Sequence, residues 1–160
     1  MTRVMLEHRD YRQELVDLGC IPAAVGAVTR NAVTQLVDVE GSVWLHNNGL
    51  DRLPFAFGKV GGYFDCAHNR FMTLEGAPIE VDDDFMCNGI RLASLDEMPK
   101  IIHGDFMCLV TELLSDVSAV LDCQIDGSIY LYGTTDEQWR MKCMLHALQY
   151  NQMSKVVCTA

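Results

Sequence analysis

Residues Val60 to Pro78 read VGGYFDCAHNRFMTLEGAP, and most apolar positions in that stretch return at an interval of 21 residues. Val43, Phe64, Phe85 and Phe106 form one column, and two residues on Leu45, Cys66, Cys87 and Cys108 form a second. Val39, Val60, Val81 and Ile102 make a third, Leu50, Phe71, Leu92 and Leu113 a fourth, and Leu53, Leu74 and Leu95 a fifth. Glycine recurs at Gly41, Gly62 and Gly104 with Asp83 in the remaining slot, and Phe57, Pro78 and Pro99 give a column just before each strand. After a two-residue insertion, Ile125, Gly127, Ile129 and Leu131 repeat the pattern once more. A fixed period of this size marks a solenoid, because one such unit has too little core to fold alone and buries its apolar side chains against the units above and below.

Within each unit the pattern Gly-x-apolar-x-apolar has the period of two that belongs to a strand. Val43 and Leu45 then point inward with Phe64 and Cys66, while Trp44, His46, Asp65 and Ala67 point outward. Strands in a sheet lie about 4.8 Å apart, so the outward residues stack in columns. Trp44, Asp65, Met86, Met107 and Tyr130 form one stripe, flanked by His46, Ala67, Asn88, Leu109 and Tyr132.

Both ends read as helical. Glu7 to Leu18 mixes charged and apolar residues at helical spacing, and Pro22 opens a second segment in which Val25, Val28, Ala32 and Leu36 share a face. Thr135 and Gln138 fit a capping box, followed by a face of Trp139, Cys143, His146 or Ala147, and Tyr150. Between them, Thr111 to Leu121 carries Leu113, Leu114, Val117, Val120 and Leu121 at helical rather than turn spacing, which predicts a short helix in the return half of the fourth coil. The expectation is a single α+β domain over residues 1–160. It comprises a helical cap at 1–38, a β-solenoid of four to five coils at 39–132 and a second helical cap at 134–151.

Val43 to Leu53 fits the leucine-rich-repeat core L-x-L-x-x-N-x-L-x-x-L at its fixed positions, with Asn48 as the asparagine, and Phe64 to Leu74 fits with conservative swaps around Asn69. Residues Val60 to Cys66 and Phe71 to Pro78 more closely resemble the units of a degenerate leucine-rich-repeat-like family common in tailed-phage genomes. The later coils depart from it, with Ile90 and Thr111 in the asparagine column and Asn88 nearby as a substitute. The resemblance implies a viral origin and a binding role. It carries no catalytic residues onto this chain.

Composition narrows the function. A net charge of −10 spread along the chain argues against a grip on nucleic-acid phosphates, which needs Lys and Arg. No apolar run approaches the roughly 18 residues of a spanning helix, and Met1 to His8 lacks the apolar core of a signal peptide, so a soluble protein of the host cytoplasm is expected. Seven cysteines, an odd set without CxxC spacing, fit reduced thiols rather than a disulfide framework or a zinc knuckle, and no metal or cofactor is expected. The column Cys66, Cys87 and Cys108 replaces consensus leucines and reads as core.

Several constellations suggest chemistry and fail on spacing. Asp65 and Cys66 are adjacent on a strand and face opposite ways, so Asp65 cannot orient a base for Cys66, with or without His68. Cys143 and His146 share a helical face without an acidic orienter. Asp82, Asp83 and Asp84 lack the D-x-D-x-D-G spacing and distal glutamate of a calcium loop. Gly58 to Gly62 lacks the Lys-Ser/Thr ending of a phosphate loop. What remains is surface. Exposed Trp, Tyr and Met are enriched at interface cores, so the expected function is non-enzymatic binding of a host or viral protein, or of a second subunit, through Trp44, His46, Asp65, Met86, Asn88, Met107, Tyr130 and Tyr132. The competing expectations are an acidic anti-defence inhibitor that mimics nucleic acid, with Glu80, Asp82, Asp83, Asp84 and Asp105 among its phosphate substitutes, and, behind it, a thiol- or metal-dependent enzyme.

Overall fold

The computed structural model describes residues 9–111, 113–114, 118–133 and 156–159. Its body is a β-solenoid of about four turns in which each turn contributes a strand to each of two sheets. The first sheet runs β1 (Val28–Arg30), β2 (Val37–Val39), β4 (Phe57–Val60), β6 (Glu80–Val81), β8 (Ile101–Ile102) and β10 (Gln124–Ile125). The second runs β3 (Val43–Trp44), β5 (Phe64–Asp65), β7 (Phe85–Cys87), β9 (Phe106–Leu109), β11 (Ile129–Tyr132) and β12 (Val156–Thr159). All pairs are parallel except β1 with β2. The 21-residue interval is the register itself: Val43 pairs with Phe64, Phe64 with Phe85 and Phe85 with Phe106, and the insertion moves the next partner to Ile129.

The column Val39, Val60, Val81, Ile102 and Ile125 therefore belongs to a sheet of its own, which strand-by-strand reading of the sequence does not separate because its strands are two to four residues long. The glycine slot is the corner between the sheets. A Cβ on Gly62 would overlap Ser42 Oγ, and one on Gly104 would come within 2.6 Å of the Asp83 carbonyl carbon of the coil below, so these two coils pass the corner without a side chain, whereas the coil between them carries Asp83 there.

Inside, the columns form the core. Phe64, Phe85 and Phe106 stack with centroids 5.7 and 6.1 Å apart and planes nearly parallel, and Phe57 meets Phe64 edge-on. Leu45, Cys66, Cys87, Cys108 and Leu131 are all fully buried beside them. Burial raises the Cys66 and Cys87 thiols well above the usual range, and holds Cys123 at about 12. Cys66, Cys87 and Cys108 are core residues, as their column predicts. Asn69 is buried and closes the turn of its coil: its Nδ2 donates to the carbonyls of Leu45, Cys66 and Ala67, and its Oδ1 accepts from the N–H groups of Asn48 and Leu50. In the next coil the buried Ile90 takes the slot, and Asn88 contributes its backbone carbonyl to His68 N–H.

Three expectations change. The segment after Pro22 is a single helical turn, α2 (Pro22–Val25), and not a helix reaching Leu36. Gly26 ends it at φ 67°, Asn31 turns the chain by accepting from Val33 and Thr34, and β1 returns to β2 as a hairpin with Val33 exposed at its tip. In the fourth coil the core position is filled by Leu114, while Leu113 is exposed, so the repeat slips by one residue after Val110. The described helical structure of that stretch is a 3₁₀ helix at Ser118–Asp122. Ala67 is buried rather than outward, because β5 stops at Asp65 and the chain turns through His68 at φ 56°.

At the N-terminal end, α1 (Tyr11–Asp17) begins where Asp10 accepts from Gln13 N–H and buries Leu15 in the core. Arg12 ties it to the carbonyls of Pro22 and Gly26. Beyond it, Cys20 Sγ lies 3.3 Å from Trp44 N and 3.1 Å from Trp44 O, and Asn48 Nδ2 donates to Leu18 O. The edge of β3, otherwise open to further strands, is thereby covered. The expected C-terminal helix at 134–151 lies outside the described residues.

Candidate functional site

The second sheet brings the predicted stripe together. Trp44 pairs with Asp65, Asp65 with Met86, Met86 with Met107 and Met107 with Tyr130, so five outward residues lie in one row, which β12 continues with Val157. Trp44 is 44% exposed and the others are half-buried by their lateral neighbours. Leu109 and Tyr132 flank the row in register, also half-buried. Asn88 is half-buried on the turn that follows β7.

At the Trp44 end the row meets an imidazole pair that the sequence columns do not single out. His68, on its left-handed turn, places its ring 4.9 Å from that of His46, and His46 lies 6.5 Å from Trp44. His46 Nδ1 is 3.2 Å from Asp65 Oδ2, while Asp65 Oδ1 accepts from Ala67 N–H. The one carboxylate in the row is thus engaged inside its own sheet. Cys66 faces the other way, fully buried, and its raised thiol has no access to His68 or Asp65 chemistry.

The acidic residues divide by what holds them. Asp84 Oδ1 accepts from Asp105 N–H and Asp105 Oδ1 from Ser128 N–H, each at 2.7 Å, so these carboxylates join consecutive coils at the corner. Partial burial raises the Asp84 carboxyl, and the bond from Asp105 acts against that shift. Glu80 and Asp82 lie on the first sheet's side of the corner and share the Lys59 ammonium at 2.8 and 3.0 Å. Asp83 stands exposed at the corner.

The same face carries residues that sequence reading missed. His103 Nδ1 is 2.6 Å from Asp126 Oδ2, and its Nε2 is 3.6 Å from Glu80 Oε1. The bond to Asp126 raises the His103 imidazole's pKa, while bonds from Gln124 and then His103 lower that of Asp126. The signal existed in the columns: Asp82, His103 and Asp126 follow Val81, Ile102 and Ile125, but the insertion places Asp126 outside a strict 21-residue count.

No known protein family, curated protein or solved structure matches the chain. Among the described residues, no helix is long and apolar enough to cross a membrane.

Proposed function

We propose that the protein is a non-enzymatic binding module that engages a protein partner through the outward face of the second sheet. The observation that carries this reading is the unbroken row Trp44, Asp65, Met86, Met107 and Tyr130, set in register by five parallel strands. Its only carboxylate is satisfied locally, so the row offers apolar and aromatic surface at little desolvation cost. On this reading Trp44 and Tyr130 are anchors at the two ends, and the methionines between them adapt to the partner's relief.

The likeness of Val60 to Pro78 to leucine-rich-repeat-like phage units supports the finer part of the proposal: a phage-type module acting in the host cytoplasm on a host or viral protein. Pull-down from host lysate, followed by titration of the purified captured protein, compares the wild type with Trp44→Ala combined with Met107→Ala. Loss of at least about tenfold in affinity is expected from removing two interface anchors. Unchanged affinity of the double variant sinks the proposal.

A further inference from the structure

The charged cluster on the first sheet lies apart from the proposed binding row and has an arrangement that row does not explain. Glu80, Asp82, His103 and Asp126 come from three consecutive coils, and one ligand atom each from Glu80, Asp82 and His103 lies within 4.8 Å of the others. Asp126 accepts from His103 Nδ1, which in the neutral imidazole leaves the lone pair on Nε2. That lone pair lies 3.6 Å from Glu80 Oε1. In the imidazolium, which the bond to Asp126 favours, a proton on Nε2 fills this gap. A metal ion that displaces the proton finds the Nε2 lone pair and the Glu80 carboxylate already facing one another.

We propose that Glu80, Asp82 and His103 form a binding site for one divalent transition-metal ion of the zinc class, with Asp126 as the group that orients the imidazole. The donor set decides the class. One imidazole nitrogen with two carboxylate oxygens suits zinc and its neighbours, which take tetrahedral nitrogen and oxygen ligands and complete the shell with water. Calcium requires six to eight oxygens and magnesium a near-ideal octahedron of oxygens, and a histidine contributes to neither. A carboxylate on the far nitrogen of the ligating imidazole is the usual support of such sites, and its loss typically weakens binding by about 10- to 100-fold. Charge agrees. With Lys59 displaced, Glu80, Asp82 and Asp126 carry three negative charges beside a neutral His103, and a divalent ion offsets two of them.

Lys59 is the internal competitor. Its ammonium bridges Glu80 and Asp82, yet its side chain is half-exposed and can swing into solvent when a stronger cation arrives. Affinity in the native protein is therefore moderate, and removing the ammonium strengthens it.

The test is titration of the full chain with zinc chloride alone, with magnesium chloride as a separate arm, followed through the ring resonances of His103 by NMR and through heat by calorimetry. The ring signal separates this site from any zinc taken up by thiols. The expected result is a saturable shift of the His103 ring with zinc and none with magnesium. Asp126→Asn should weaken binding about tenfold or more, His103→Gln should weaken it further, and Lys59→Met should tighten it. A His103 ring unmoved by millimolar zinc, or a His103→Gln variant that binds as the wild type does, overturns the proposal.

Discussion

At the residue scale, the turns that follow β3, β5, β7 and β11 take one left-handed conformation, from which the turn after β9, at Val110, departs. Asn47, His68, Gly89 and Gly133 occupy the same slot and all have positive φ, between 53° and 77°. Asparagine tolerates this region and glycine has no penalty there. At Gly89 the backbone is left-handed and an added Cβ would also overlap the His68 ring. Gly89→Ala should therefore cost about 2 kcal/mol or more, whereas Asn47→Gly should change stability by less than about 1 kcal/mol. Chemical denaturation of the two variants checks the contrast, and equal midpoints would contradict it. Asn69 has a different kind of importance. Asn69→Ala leaves the N–H groups of Asn48 and Leu50 without their acceptor and should cost roughly 2–4 kcal/mol by the same measurement.

At the element scale, most of the second sheet was legible in the sequence and most of the N-terminal segment was not. A strict interval fixes register without any knowledge of geometry, so the inward columns of Phe64 and Cys66 follow directly. The spacing of Val25, Val28, Ala32 and Leu36 satisfies a helix equally well, and what defeats it is local chemistry: Gly26 at positive φ and the side-chain turn at Asn31. Ala67 follows the alternation on paper, but its strand has already ended. The His103 and Asp126 pair escapes a reading that follows outward residues only along the second sheet, and not at the positions after Val81, Ile102 and Ile125. The thiol column supplies a test of the part that was legible. With Cys66, Cys87 and Cys108 fully buried, and burial raising the thiols of Cys66 and Cys87, iodoacetamide at pH 8 should label the three only through unfolding, as read by peptide mass spectrometry. Rapid labelling of any of the three in the native protein would place that column outside the core.

At the scale of the whole molecule, the coils hold one another through neighbours, and the centre is held from both sides. Phe85 stacks on Phe64 and Phe106 at once, so Phe85→Ala removes two ring contacts and should destabilise the protein by about 3–5 kcal/mol, measurable by denaturant unfolding. The two sheets divide the surface into a row of aromatic and methionine side chains and a charged cluster, and both depend on the same stacking. That stacking is read most directly from NMR couplings transmitted through hydrogen bonds. Coils stacked in this register give couplings from the Asp84 carbonyl to Phe64 N, from the Asp105 carbonyl to Phe85 N and from the Ser128 carbonyl to Phe106 N, across separations of 2.8, 2.8 and 2.9 Å. Their absence, or couplings that pair these amides in any other register, would contradict it.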